Sequence, residues 1–348
     1  YKRQVDDENL YGSASIYPKK ETVVGRCESW VIIYKVGKRG IDVGGGLVIT
    51  FPLHGFSGFR FFPDVSMDGK WNVWDITEPG YLYITSSNPA VKLKAEGGSH
   101  RYTPPARDYG VEALKKGKPM FLWPGRPLYI RVEEAPLREG DEIRIRWGDT
   151  SSGSPGVVTG TLAGEVELFI AVDPDGKLKG PICGYYPIKK NPKIRVLPDH
   201  PVKLVVTAPS RVRVGECFEV SVVARDKYEN VSFQYSGTLK IGFSDSQAEA
   251  PRVLRAKSGE RVHKFTVCPK TIGVHRIVVT DEKNRLKGVS NPIDCREAKP
   301  DYKIYWGDPH VHSSLSDGLG TLEECYEYAR YDADLDFAVV TDHDTMIT

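Results

Sequence analysis

Residue types that bind divalent metals are concentrated near the C-terminus. In the stretch GDPHVHSSLSDG, His310 and His312 are separated by one residue, and Asp317 follows them. Asp342 and His343 form a second group after an apolar run. Imidazole and carboxylate groups bind zinc, manganese and iron. The pattern therefore indicates a metal site, although an H-x-H pair is weak by itself and surface or capping histidines are the alternative.

Two predicted strands have to position these residues. YKIYW (302–306) is expected to form a short strand ahead of the first histidines, and FAVVT (337–341) a second strand ahead of Asp342. Between them, Thr321 and Glu324 form a capping box, which starts a helix. The apolar stripe of that helix has the spacing i, i+3, i+4, i+7 and comprises Leu322, Cys325, Tyr326 and Ala329. A strand, helix and strand in this order form a βαβ unit with parallel strands, so both metal-binding groups should meet at one sheet edge.

The residues of this segment resemble the sequence pattern of a known protein family. GDPHVHSSLSDGLGTLEE and LDFAVVTDHD resemble the opening of the PHP (polymerase and histidinol phosphatase) superfamily, in its branch with N-terminal β-sandwich domains. The resemblance is specific over residues 302–348 and looser upstream. It implies a distorted β/α barrel that holds two or three zinc, manganese or iron ions. The ligands it implies are His310, His312, Asp317 and His343, with Asp342 as a further ligand or as support.

The resemblance also implies a function. It is that of a metal-dependent hydrolase of the phosphoesterase type, acting on a phosphorylated small molecule. A complete barrel would need roughly two hundred further residues. We therefore expect this chain to carry the first ~45 residues of the barrel domain, to belong to a longer protein, and to be inactive alone. No catalytic residue is assigned.

Two functions of other classes stay open. The uncovered edge of the FAVVT strand could pair with a neighbouring chain, which would make the protein a structural or assembly protein with self-association through this edge. Alternatively, the aromatic span from Phe51 to Trp74 could form a carbohydrate- or surface-binding platform.

The residues upstream of the metal pattern predict a mainly β protein. Short runs rich in β-branched and aromatic residues alternate with Gly, Pro, Asp and Ser clusters, as in β-sandwiches. We expect an N-terminal β-sandwich region of one or two units over 1–199, an immunoglobulin-like sandwich over 200–299 and the start of the barrel over 300–348. In the run 217–226, alternation predicts one buried face and one solvent face. The buried face comprises Phe218, Val220, Val222 and Ala224, and the solvent face Glu219 and Ser221.

The composition of the chain limits which classes of partner and which location we expect. The 48 basic and 46 acidic side chains give a net charge of +2, which gives no reason to expect nucleic acid as a partner. No apolar run approaches the ~18 residues of a membrane span. The six cysteines contain no C-x-x-C pair, and the pairing of Cys217 with Cys268 is left open because no tryptophan lies between them. The chain begins at Tyr1, which we interpret as processing, and this favours an extracellular or cell-envelope location over the cytoplasm.

Overall fold

Alternating apolar and polar residues give this chain a mainly β architecture, as the sequence predicts. The computed structural model describes residues 9–19, 21–50, 80–97, 128–177, 186–298, 302–313, 316 and 321–343. The chain divides into two compact units, with the boundary between Leu197 and Pro198. The finer division within each unit stays a prediction.

Where the structure describes it, the first unit consists of strands and one short 3-10 turn (Thr150–Ser152). Its strands are β1 (Ser13–Tyr17), β2 (Thr22–Val23), β3 (Cys27–Glu28), β4 (Trp30–Lys35), β5 (Gly46–Thr50), β6 (Leu82–Ser86), β7 (Lys92–Gly97), β8 (Leu128–Glu133), β9 (Glu142–Trp147), β10 (Val157–Val158), β11 (Gly164–Glu167), β12 (Phe169–Asp173), β13 (Tyr186–Pro187) and β14 (Lys193–Leu197).

Two larger sheets dominate this unit. One has the strand order β1-β4-β9-β6 and the other β13-β12-β5-β8-β7, and all their strand pairs are antiparallel. Along β4, Trp30, Ile32 and Tyr34 are buried while the residues between them are less so. The Trp30 ring contacts the Trp147 ring of β9, with centroids 5.3 Å apart. The period-2 burial is that of strands with one face in a core.

The second unit begins with a sandwich of three sheets. Its strands are β15 (Lys203–Thr207), β16 (Arg211–Arg213), β17 (Phe218–Arg225), β18 (Gly237–Phe243), β19 (Val253–Ala256), β20 (His263–Val267), β21 (Gly273–His275), β22 (Ile277–Asp281), β23 (Leu286–Val289) and β24 (Ile293–Arg296). The sheet orders are β15-β17-β20, β16-β24-β21 and β19-β18-β22-β23. They enclose one apolar core, in which Val220, Leu239, Val267 and Ile277 have no exposed surface.

One expectation for strand β17, the exposure of Ser221, was wrong. Its predicted apolar face is buried and Glu219 is exposed, but Ser221 is buried as well, with 4% of its surface accessible. The reason is that both faces of β17 are covered from Ser221 onward, since Val223 and Arg225 on the same face as Ser221 are buried as well. At the end of that face, Arg225 contacts the C-terminal segment through Asp332.

Cys217 and Cys268 form a disulfide bond, which the sequence left open. The bond joins the residue before β17 to the residue after β20. An antibody-type tryptophan is therefore not required for the pairing, because the antiparallel register of β17 and β20 already brings these two ends together.

The C-terminal segment forms the expected βαβ unit. It comprises β25 (Gly307–Val311), α1 (Leu322–Glu327), a π-helical turn (Tyr328–Asp332) and β26 (Phe337–Val340). Strands β25 and β26 are parallel, with Gly307 opposite Phe337. The capping box at Thr321 and Glu324 is present. Of the predicted helix stripe, Ala329 is buried, but Tyr326 is exposed.

The first strand of this unit lies later than predicted. Residues 302–306 are exposed and form no strand, and the strand starts at Gly307. The start is set by the pairing partner, because the backbone of Trp306 exchanges hydrogen bonds with Asp336 just before β26 begins. As a result, His310 lies within β25 and His312 directly after it.

Candidate metal-binding site

Three histidines meet at the carboxyl ends of β25 and β26. The imidazole centroids of His310 and His312 lie 4.8 Å apart, and those of His312 and His343 lie 4.6 Å apart. The backbone ladder extends up to this point, since the amide of Thr341 donates to the carbonyl of Val311 at 2.7 Å. Parallel pairing thus places residues from two distant parts of the sequence at one sheet edge.

The distances between neighbouring ring centroids are close to those of two imidazoles that bind one cation. With Zn–N bonds of about 2.0–2.1 Å, two imidazoles on one ion have centroids roughly 5 Å apart. Imidazole suits zinc and iron, and with carboxylates it also suits manganese. Within the described residues, however, no group of three His, Cys, Asp or Glu side chains is arranged to hold a metal ion. The donor chemistry therefore fits a divalent cation, while a coordination sphere would need further ligands.

Asp342 supports the loop that follows β25. Its carboxylate accepts hydrogen bonds from the Ser313 amide at 2.7 Å, the Ser313 hydroxyl at 2.6 Å and the Ser316 hydroxyl at 2.5 Å. Partial burial opposes ionisation of Asp342, but the hydrogen bonds from Ser313 and Ser316 outweigh it, so the pKa of Asp342 lies below its ordinary value. These hydrogen bonds hold the loop in place, and the role of Asp342 toward a metal, as a further ligand or as support, stays a prediction.

Ser313 and Ser316 are residues that the sequence reasoning missed. Ser313 has no exposed surface, and Ser316 has 8%. Their signal in the sequence was the group of three serines, at positions 313, 314 and 316, that follows the H-x-H motif. Such residues are common in loops, so the sequence could not indicate which carboxylate they would bind.

Backbone contacts also hold the first histidine pair. The carboxylate of Asp308 accepts a hydrogen bond from the backbone amide of His310 at 3.0 Å. The Cys325 thiol on α1 lies 3.9 Å from the carbonyl oxygen of His312. Burial, together with the charges of Asp342 and Glu324, raises the pKa of this thiol, which keeps it protonated. The helix thus contacts the loop that carries the histidines.

Two sequence predictions lie outside the described residues. They are the expected ligand Asp317 and the aromatic span from Phe51 to Trp74. Among the described residues, no helix is both long enough and apolar enough to cross a bilayer.

Comparison with known proteins gives no family for this chain. No family model and no curated protein matches the sequence, so the resemblance of residues 302–348 to the PHP superfamily stays a prediction.

Several solved structures show a broad likeness to the fold. The adhesin FdeC of Escherichia coli is 14% identical, covers 88% of this chain and 71% of its own, and has a TM-score of 0.30. The D00-D0 domain of intimin is 10% identical, covers 81% of this chain and 99% of its own, and has a TM-score of 0.29. Domains 4 and 5 of the S-layer protein SbsC are 14% identical, cover 40% and 69%, and have a TM-score of 0.22. At such low values the likeness is one between β-rich domains and carries no function to this chain.

Proposed function

We propose that residues 302–348 are the start of a metal-dependent hydrolase domain of the phosphoesterase type, preceded by β-rich units. The observation that carries the proposal is the meeting of His310, His312 and His343, whose successive ring centroids lie 4.8 and 4.6 Å apart. These residues come from the ends of two parallel strands, where α/β folds assemble their active sites.

The residues of the chain would divide the work between binding and support. His310, His312 and His343 would bind the ion, and Asp317 would add a carboxylate. Asp342 would hold the loop through Ser313 and Ser316. A bound divalent ion supplies Lewis acidity, which activates water and neutralises charge on phosphoryl oxygens. Because the described ligands do not complete a coordination sphere, we expect hydrolysis only when further ligands of the barrel are present.

Metal binding by the purified chain tests the proposal. After loading with cobalt(II) and dialysis, we expect a visible absorption band from imidazole ligation and retained metal. The variant His312→Ala should lose both, while His200→Ala, which removes an exposed histidine of the second unit, should retain both. A wild-type chain that retains no cobalt, zinc or manganese, or an equal signal from His312→Ala, would contradict the proposal.

A second candidate function is non-catalytic: surface binding or assembly. Large apolar side chains around β25 and β26 are exposed, among them Tyr305 at 57%, Trp306 at 63% and Phe337 at 47%. Exposed aromatics beside a short two-stranded sheet are typical of surfaces that associate. Sedimentation of the chain over a wide concentration range tests this candidate. Association that Trp306→Ser and Phe337→Ser abolish would support it, and a monomer at every concentration would exclude it.

The disulfide bond supports an extracellular or cell-envelope location for either function. Structural disulfides persist in oxidising compartments and are rare in the cytosol. The Cys217–Cys268 bond joins β17 to β20 at one end of this antiparallel pair, so it belongs to the sandwich and not to a reactive site. Alkylation of the native protein before and after reduction, followed by mass analysis, measures whether this pair is oxidised in the source cells.

A further inference from the structure

The end of the βαβ crossover is attached to the immunoglobulin-like sandwich by a buried aspartate. Asp332, the last residue of the π-helical turn, has 3% of its surface exposed. The Arg261 guanidinium donates to both of its carboxylate oxygens, with a Nε–Oδ1 distance of 2.7 Å. Arg225, itself buried, donates through Nη2 to the backbone carbonyl of Asp332 at 2.5 Å. We refer to Asp332, Arg225 and Arg261 as the Asp332 clamp.

The clamp joins two parts of the chain that fold from different sequence regions. Arg225 ends β17, and Arg261 lies in the connection before β20. A fork-shaped guanidinium that binds both oxygens of a carboxylate defines orientation as well as distance. Arg225 is held in turn by the carbonyl of Glu229, to which its Nη1 donates at 2.6 Å. The geometry is therefore that of a specific docking contact.

The burial of Asp332 has an electrostatic consequence. Burial raises the pKa of this carboxyl group, and the hydrogen bond and charge of Arg261 act in the opposite direction. A buried carboxylate is tolerated when it is paired and strongly destabilising when its partner is removed. The docked arrangement thus depends on the arginine, and a sandwich without Arg261 would leave the aspartate buried and unpaired on that side.

A second contact lies at the other end of the βαβ unit. The indole Nε1 of Trp306 donates to the hydroxyl of Ser210 at 3.0 Å. Trp306 directly precedes β25, and Asp332 lies in the turn that leads into β26. Each of the two strands that end at the histidines is therefore attached to the sandwich just before it begins, and both attachments lie within the same compact unit.

We infer that the immunoglobulin-like sandwich is the docking platform of the histidine site, and that Asp332 and Arg261 are positioning residues for His343. The link to metal binding rests on the proposed function. The docking contact is inferred from the geometry of the clamp and does not depend on the proposed function. Strand β26 carries the constraint, because it starts shortly after Asp332 and ends just before Asp342 and His343.

Charge reversal tests the clamp in the full chain. Arg261→Glu should raise amide hydrogen exchange over residues 322–343 about tenfold and weaken cobalt(II) binding by a similar factor. The double variant Arg261→Glu with Asp332→Arg should restore part of the protection, because it recreates the pair with exchanged signs. Arg255→Glu is the matched control, since it makes the same charge change at an exposed position on β19 of the same sandwich.

The two measurements separate failure of the inference from failure of the proposed function. If wild-type protein binds no cobalt, the metal function is wrong, and hydrogen exchange still tests the clamp. Unchanged exchange over residues 322–343 in Arg261→Glu would overturn the inference. If Arg261→Glu also loses protection in β17 and β22, the neutral variant Arg261→Gln is measured instead, and a loss confined to residues 322–343 is then the expected result.

Discussion

The Asp342 carboxylate accepts hydrogen bonds from both the amide and the hydroxyl of Ser313, a residue 29 positions earlier in the chain. This contact ties the loop after β25 to the end of β26. It also orients the segment that carries His312 relative to the one that carries His343. The candidate site is thus held together by a carboxylate whose oxygens bind the loop.

Neutralising Asp342 should weaken metal binding without unfolding the sandwich. In Asp342→Asn an amide NH2 group replaces one carboxylate oxygen and cannot accept a hydrogen bond from Ser313 or Ser316, so the loop loses part of what orients it. Removing such supporting contacts typically costs roughly 10- to 100-fold in metal affinity. Titration with cobalt(II) measures the effect. Asp334→Asn is the control, because Asp334 has a positive φ of 52° that asparagine also tolerates; an equal loss there would show that the effect is not specific.

Loss of the disulfide should destabilise the sandwich of the second unit. The bond closes a loop with a sequence separation of 51 residues. In the chain-entropy description, a cross-link of this size contributes about 2–4 kcal/mol. Cys217→Ala with Cys268→Ala should therefore lower the urea midpoint of this unit, as should reduction of the wild-type protein. Cys27→Ala removes an exposed free cysteine and should leave the midpoint unchanged. A midpoint insensitive to reductant would show that the bond does not stabilise the fold.

The sandwich should lose stability in mild acid through His263. Burial lowers the pKa of this histidine below 6.5, and the neighbouring Glu260 opposes the shift only in part. Because the folded-state pKa is the lower one, the unfolded chain binds the proton more readily between the two values. The contribution of His263 to stability is thus complete above about pH 6.5 and declines as the pH falls through the interval below it.

Urea unfolding at a series of pH values measures this dependence. His263→Gln should show a flatter decline in the free energy of unfolding below pH 6.5 than the wild-type protein. The exposed residue His200 provides the comparison, because His200→Gln should keep the wild-type decline. Parallel curves for wild type and His263→Gln would contradict the assignment.

Removing the Tyr235 hydroxyl should leave a buried carboxylate with one partner fewer. The hydroxyl donates to the carboxylate of Asp281 at 2.5 Å, and Asp281 has 1% of its surface exposed. Asn284 donates to the same carboxylate at 2.7 Å and should compensate in part. We expect Tyr235→Phe to cost about 1–3 kcal/mol of unfolding free energy. The variant Tyr302→Phe alters a tyrosine that is 83% exposed and should have no measurable effect.

Short-range sequence patterns were sufficient to predict several structural features of this chain. The period-2 alternation of β17 identified Phe218 and Val220 as core residues, and the spacing of Thr321 and Glu324 identified the helix start. Both depend on neighbours in sequence, since strand alternation and a capping box are set within a few residues. The order of strand, helix and strand was likewise enough to place the two histidine groups at one edge.

Contacts between residues far apart in sequence determined the features that the sequence did not predict. The start of β25 at Gly307 follows from its pairing with β26, and the burial of Ser221 follows from the covering of both faces of β17. The partners of Asp342 and Asp332 lie far away in sequence, at Ser313 and Arg261. Sequence alone therefore determined that the chain is built mainly from strands and where its C-terminal helix begins. Tertiary structure decided which of their polar groups meet, because hydrogen bonds between distant residues depend on the packing that brings them together and leave no periodic signal in the chain.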